Sequence, residues 1–266
     1  MYFWHLTIAA AQRRHAFHDR ARRLASVHAL LRIAAPVLLL WCIVDDHLHL
    51  VIAGTRPEAG RLAQRLHLAL AAIMPDAEFE AARIRPVEDR HHLVTLVPYV
   101  LAQTRKHDLP FHPARWDGSC FQDLVGARRL CHFDARPLAQ ALPRLTRDQI
   151  LAAVDAPPWS LRPVDDDRVR ATAPAALAEA AAAAVGLPRL QGRTEAAVEA
   201  RCVVLHLARR AEWPVSHLAP LLRVHPGSAR RLVARAPDPK LEDAVRRQIA
   251  LRAAVPEQRR PPLAAA

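Results

Sequence analysis

The sequence predicts an α+β protein: an antiparallel sheet with helices packed on it, followed by an all-α C-terminal region. Three observations carry this. Apolar stretches of strand type occupy residues 2–9, 37–53 and 79–87, and the middle one is long enough to fold back on itself as a hairpin. Stretches whose apolar residues recur with helical spacing separate them. Beyond about residue 170 every patterned segment reads as helix. The resulting order is strand, helix, hairpin, helix, strand, helix, and a hairpin at the centre of such an order makes the sheet antiparallel.

Each element has its own justification. In residues 2–9, Phe3, His5 and Thr7 fall on one face and Trp4, Leu6 and Ile8 on the other. From Asp19, Leu24, Val27, Leu30 and Leu31 form the apolar stripe of a helix reaching about Ile33. Arg20, Arg22, Arg23 and Arg32 cover the rest, as a solvated face or as a track for a phosphate backbone. The hairpin of residues 37–53 turns at Asp45 and Asp46. Thr55 and Glu58 stand three apart as a capping box, opening a helix buried through Leu62, Leu66, Leu70 and Ile73 and ending near Met74-Pro75. Residues 79–87 form a further strand, with Phe79, Ala81 and Arg83 on one face. A helix over 88–107 turns Leu93, Leu96, Val100 and Leu101 to the sheet, and Pro98 inside it should kink it or start it.

Residues 136–170 read as a linker broken by prolines and by Asp165-Asp166-Asp167, with one short helix over 146–154. An Ala-rich helix follows over 171–185, stopped by Gly186-Leu-Pro188. Residues 194–210 are a helix buried through Val198, Cys202 and Leu205. Residues 215–235 match a helix-turn-helix, with Leu218, Ala219 and Leu222 on the first helix, Val224 in the turn, and Leu232 and Val233 on the second. Ser228, Arg230, Arg231 and Arg235 then lie at the outward face of a recognition helix, where arginine reads guanine edges or neutralises phosphates. The alternative is a three-helix packing module with solvated arginines, and Pro220 in the first helix favours it. The expected organisation is an α+β domain over 1–130, to which the resemblance given below assigns catalysis, a proline-rich linker with helices over 131–190, a helical DNA-binding domain over 191–252, and a disordered tail over 253–266 containing PEQRRPP.

A chain of 266 residues has room for two domains with cores of their own. Its formal net charge of +12 points to polyanionic partners. The cations are nearly all arginine, Lys106 and Lys240 being the exceptions, and the abundance of Ala and Pro shows a coding bias alongside the charge excess. Cys42, Cys120, Cys131 and Cys202 fit neither a metal knuckle nor a disulfide framework. A reducing, cytoplasmic setting is therefore expected, without a signal peptide or membrane association.

Two small constellations carry chemistry. His47 and His49 alternate with Leu48 and Leu50, so both imidazoles project from one face of a strand, as metal ligands do and as ordinary half-exposed histidines do. Tyr99 and Gln103 stand four apart in a predicted helix, one above the other. A metal bound by the Gln103 carbonyl oxygen would sit beside the Tyr99 hydroxyl, while the bland reading makes Tyr99 a core aromatic and Gln103 a surface amide. Asp46 reads as a solvated turn residue, the alternative being that it touches a metal or holds the neighbouring imidazole, and His5, His91 and His92 read as surface or core histidines.

In their order and spacing, DDHLHL at 45–50 and YVLAQ at 99–103, with HLTIA in the first strand, RRHAF at 13–17 and WDGSCFQDLVG at 116–126, resemble the single-tyrosine HUH transposases of insertion sequences and the REP-associated tyrosine transposases. The resemblance covers roughly residues 2–126. It implies a ferredoxin-like HUH endonuclease fold, Tyr99 as catalytic nucleophile, and His47, His49 and Gln103 as ligands of Mg or Mn. It also implies single-stranded or hairpin DNA as partner, and a monomer or homodimer. The sequence departs from the family where Asp45-Asp46 precedes the first histidine and where Thr104 follows Gln103. Two other readings stay open: a DNA-binding regulator that has kept the fold without catalysis, and a metal-dependent hydrolase in which water is the nucleophile and Tyr99 positions substrate.

Overall fold

The first strand, β1 (Phe3–Ala9), buries Leu6 and Ile8 completely on one face and leaves His5 and Thr7 half-buried on the other. It takes a central place in a four-stranded antiparallel sheet of order β2-β3-β1-β4, with β2 at Leu38–Ile43, β3 at His47–Ala53 and β4 at Arg83–Val87. The structure, a computed structural model, describes residues 2–255. Helix α1 (Arg20–Ala34) connects β1 to β2, and α2 (Arg56–Ile73) connects β3 to β4. The element order is thus β-α-β-β-α-β, with helices packed on the sheet as the sequence predicts.

Helix starts follow the local chemistry. Asp19 caps α1 by accepting from the Arg22 amide. The capping box of α2 is present, Thr55 Oγ1 accepting from the Glu58 amide at 3.4 Å and Glu58 Oε2 accepting from the Thr55 amide at 2.7 Å. Asp89 caps α3 (Arg90–Leu101) through the His92 amide at 2.7 Å.

The two edges of the sheet are handled differently. The β2 edge is covered by residues 116–120: Ile43 N–H donates to the Gly118 carbonyl at 2.6 Å, Trp116 Nε1 donates to the Ile43 carbonyl at 2.6 Å, and Cys120 N–H donates to the Trp41 carbonyl at 3.1 Å. Only glycine fits at 118, where an added Cβ would lie 2.4 Å from the Ile43 carbonyl oxygen. The β4 edge is open and carries exposed Arg83, Arg85 and Pro86, charge and a missing donor that block pairing with another strand.

Beneath the 116–120 segment, Arg23 is buried and stacks 3.9 Å from the Trp116 ring centre. Its Nε donates to Asp117 at 2.7 Å, and Arg20 Nε donates to the other oxygen of the same carboxylate at 2.7 Å. Asp117→Ala would leave the Arg23 guanidinium buried without a carboxylate, and denaturant unfolding should show a loss of about 3 kcal/mol or more. A loss under about 0.5 kcal/mol would assign this cluster no structural weight.

Two expectations are corrected. The single helix of residues 88–107 is interrupted: α3 ends at Leu101, Ala102 departs from helical geometry at φ −96° and ψ 15°, and α4 (Gln103–Lys106) begins after it. Residues 136–170 are more structured than a linker with one helix, forming helices Arg136–Ala141, Arg147–Ala153 and Asp166–Arg170 and a 3-10 turn at Pro158–Leu161. Pro137 and Pro158 occupy first-turn positions, where proline is tolerated because its missing N–H has no intrahelical partner anyway.

The chain divides into two compact units, residues 1–124 with 131–156, and residues 125–130 with 157–256. The second unit is helical, built from Pro174–Ala184, Glu195–Arg210, Val215–Leu221, Pro226–Ala234 and Pro239–Ala254. Its core joins Leu177, Val203, Leu207, Leu218, Leu222 and Val245, and Val224, Leu232 and Val233 pack partly against it. The tail beyond residue 255 lies outside the described residues. Among those described, no helix is long and apolar enough to cross a membrane.

Candidate metal centre and nucleophile

His47 and His49 come from β3, where strand alternation sends both to the face of the sheet that carries His5 and Thr7. Their cross-strand partners on β1 are the small residues Ala9 and Thr7, which leave room for two imidazoles side by side. Both rings are buried, and their Nε2 atoms face each other at 2.8 Å.

The remaining ring nitrogens are engaged. His47 Nδ1 lies 2.5 Å from Asp46 Oδ1, and Arg13 donates to Asp46 Oδ2 at 3.2 Å. Burial alone would raise the Asp46 carboxyl, but His47, Arg13 and His107 around it hold it below the usual carboxylate range. An ionised carboxylate only accepts, so His47 carries its proton on Nδ1 and offers the Nε2 lone pair. His49 Nδ1 lies 3.0 Å from His5 Nε2 and 3.3 Å from Thr7 Oγ1.

Tyr99 reaches the same face from α3. Its ring meets His49 edge-on at 5.4 Å between centres and His5 at 5.9 Å, and with 38% of its surface exposed it is not a core aromatic. Lys106 Nζ stands 3.4 Å from the Tyr99 hydroxyl. Gln103 opens α4, so the helix is interrupted at Ala102 between it and Tyr99. It is fully buried, its Nε2 donates to the Tyr99 carbonyl at 2.7 Å, and its Oε1 has no hydrogen-bond partner among the described residues.

His107 was not singled out by the sequence. It faces the His47 ring at 4.6 Å between centres, with Nδ1 4.0 Å from Asp46 Oδ1, and Asp46, His47 and His107 form a group able to hold a metal ion. Asp46 is buried against His47 rather than a solvated turn residue, and His5 is half-buried against His49. His91 is exposed. The basic run at 13–15 meets the acidic turn, Arg13 pairing with Asp46 and His15 Nδ1 lying 2.5 Å from Asp45.

His5, Asp46, His47, His49, Tyr99 and His107 line an open cleft of about 440 Å³, and Gln103 lies outside its lining. Arg13, Arg83, Arg85 and Lys106 outnumber its acidic members, Asp46 and Glu80. The register explains the layout, since Arg83 pairs with Thr7 and Thr7 with His49 in one row across the sheet, and Arg85 pairs with His5.

Burial, with nearby His47, His5 and Lys106, pushes His49 down to about 2, and burial with Arg85 and His92 pushes His5 down to about 4. Burial lowers His47 too, against the opposing pull of Asp46. All three imidazoles are therefore neutral near pH 7, the form a metal requires. The unfolded chain protonates near 6.5 while the folded chain resists, so metal-free stability should be full above about pH 6.5 and fall as the pH drops toward 4. For His5 the loss is at most about 3 kcal/mol. Urea unfolding at pH 7.5, 6 and 5 checks the sign, and stability that rises on acidification over this range would contradict it.

In the second unit, Ser228 is half-buried on Pro226–Ala234 and accepts from Arg231 at 3.3 Å, and Arg230 and Arg231 are exposed. Arg235 follows that helix and pairs with Glu199 at 3.2 Å.

No protein-family model matches this chain, and no curated protein matches it. Among solved structures it is similar to a REP-associated tyrosine transposase bound to a REP hairpin, at 13% identity over 47% of this chain and 79% of that one, with a TM-score of 0.40.

Proposed function

We propose that this chain is a metal-dependent single-stranded DNA endonuclease and strand transferase, a transposase of the single-tyrosine HUH type that acts at hairpin-forming DNA ends. The observation that carries this reading is the meeting of His47, His49 and Tyr99 in one open basic cleft. The motif spacing in the sequence supports it.

The residues fit a divalent cation. The two Nε2 atoms converge as two nitrogens on one small cation must, the Nδ1 side of each ring is held by a neighbour, and the Gln103 carbonyl oxygen is buried without a partner. His47 and His49 would hold Mg or Mn, imidazole favouring Mn, with Gln103 Oε1 as the third donor. When bound, the cation supplies Lewis-acid polarisation of the scissile phosphate. Asp46 with His107 is a second way to complete the donor set, favoured by their closeness to His47.

In the reaction, Tyr99 Oη attacks phosphorus in line, the bond from phosphorus to the 3′-oxygen breaks, and the strand's 5′-phosphate becomes joined to the tyrosine. The phenol's proton is balanced by the one the departing 3′-oxygen takes up, and the ester conserves the bond for rejoining. Lys106, one of only two lysines in the chain, places an ammonium beside the attacking Tyr99 oxygen, on which charge develops when that oxygen leaves again in the rejoining step. Arg13, Arg83 and Arg85 hold neighbouring phosphates. The helices Val215–Leu221 and Pro226–Ala234 act as a helix-turn-helix, with Ser228, Arg230 and Arg231 meeting DNA. Arg235 joins them by exchanging Glu199 for a phosphate.

The test is incubation of the full chain with Mn and a labelled oligonucleotide carrying a hairpin tip. A covalent adduct that survives denaturation supports the reading. Cutting without an adduct supports the hydrolase, and tight binding without cutting supports a regulator that has lost catalysis.

A further inference from the structure

His5 lies on β1, in the row of the sheet next to His49, and its ring stacks on that of His49 with 28° between planes and 5.1 Å between centres. The contact that matters is His5 Nε2 to His49 Nδ1 at 3.0 Å. Two neutral imidazoles in this geometry share one proton, and a neutral imidazole has one N–H in all, so the direction of that hydrogen bond decides what the far side of His49 can do. If His5 donates, the His49 proton sits on Nε2 and is donated to the His47 Nε2 lone pair across the 2.8 Å gap, as in the cation-free site, and it fills the place a cation would have to take. If His5 accepts, His49 is protonated on Nδ1 and its Nε2 lone pair opens toward His47. Asp46 settles the same choice for His47. Thr7 Oγ1, at 3.3 Å, is a longer contact that can donate as readily as accept, so it settles nothing for His49.

We propose that His5 is a positioning residue for the metal: when the proton between the two Nε2 atoms gives way to a cation, His5 Nε2 accepts the Nδ1 proton of His49 and so holds that ring in the tautomer whose Nε2 binds the cation. The proposal rests on the reading of His47 and His49 as ligands. Converting the donating arrangement into the accepting one passes the shared proton from His5 Nε2 to His49 Nδ1. A second proton leaves His49 Nε2 for solvent, and a third arrives from solvent at His5 Nδ1. The number of bound protons is unchanged, and both rings stay neutral.

Two measurements on the full chain test this. With ¹⁵N-labelled histidine and Zn as a diamagnetic probe, the long-range proton–nitrogen spectrum of the wild type should show His5 as the Nδ1–H tautomer with Nε2 accepting; His5 carrying its proton on Nε2 would overturn the proposal. Mn affinity read by electron paramagnetic resonance should fall about 10- to 100-fold in His5→Leu. His5→Gln, whose Oε1 can accept, should recover most of the loss. An affinity in His5→Leu equal to wild type, or His5→Gln as weak as His5→Leu, would overturn it. If His5→Leu does not fold, the wild-type spectrum decides alone. Mn binding that needs His47 and His49 but ignores His5 sinks this inference and leaves the metal centre standing. Binding indifferent to His47 and His49 sinks both.

Discussion

Tyr99→Phe removes one oxygen and should abolish the covalent protein–DNA adduct, with strand cleavage falling by on the order of 10⁴-fold or more, the scale on which loss of a nucleophile acts. The phenol is partly exposed at the cleft, and its one side-chain hydrogen bond among the described residues is the long contact to Lys106. Stability should therefore change by no more than about 0.5 kcal/mol, and DNA affinity should hold. The contrast of intact binding with absent adduct gives the result its meaning, because a structural role for Tyr99 would lower both together. Cleavage persisting at wild-type rate in Tyr99→Phe would hand the nucleophile's role to water.

His47→Ala and His49→Ala should each lower Mn affinity by more than the roughly 10- to 100-fold expected for loss of a group that only orients a ligand. Each takes one of two converging Nε2 atoms from the centre. Isothermal titration with Mn, alongside Gln103→Ala and His107→Ala, identifies the rest of the donor set. A large loss in Gln103→Ala with none in His107→Ala fits the unpartnered Gln103 carbonyl as third donor, and the reverse moves the centre toward Asp46. Equal, small effects from all four would remove the metal from the account.

The sheet was legible because its signals are local. Strand alternation placed His47 and His49 on one face, and the capping box at Thr55 fixed the start of α2 to the residue. What could not be read was set by contacts between distant parts of the chain. Asp46 can be read as a solvated turn carboxylate or as a partner of the imidazole until Arg13 and His47 are beside it, and His5 meets His49 from a neighbouring strand more than 40 residues away. The helix carrying Tyr99 and Gln103 was read as continuous because a four-residue spacing carries no mark of a break, and it is interrupted at Ala102. His107 gains its place beside His47 after that interruption, so no helical periodicity could have marked it. The helices among the prolines of 136–170 were missed for a related reason, since a proline in a first turn starts a helix and one in the interior stops it.

Crystals of the full chain soaked in Mn, with diffraction collected at an energy where Mn scatters anomalously, put the central claim to the most direct trial. The account predicts one strong peak about 2.0–2.2 Å from both His47 Nε2 and His49 Nε2, on the side of the cleft that Tyr99 faces. A peak held by Asp46 and His107 with the two Nε2 atoms still in contact with each other, or no peak in the cleft at all, would contradict it.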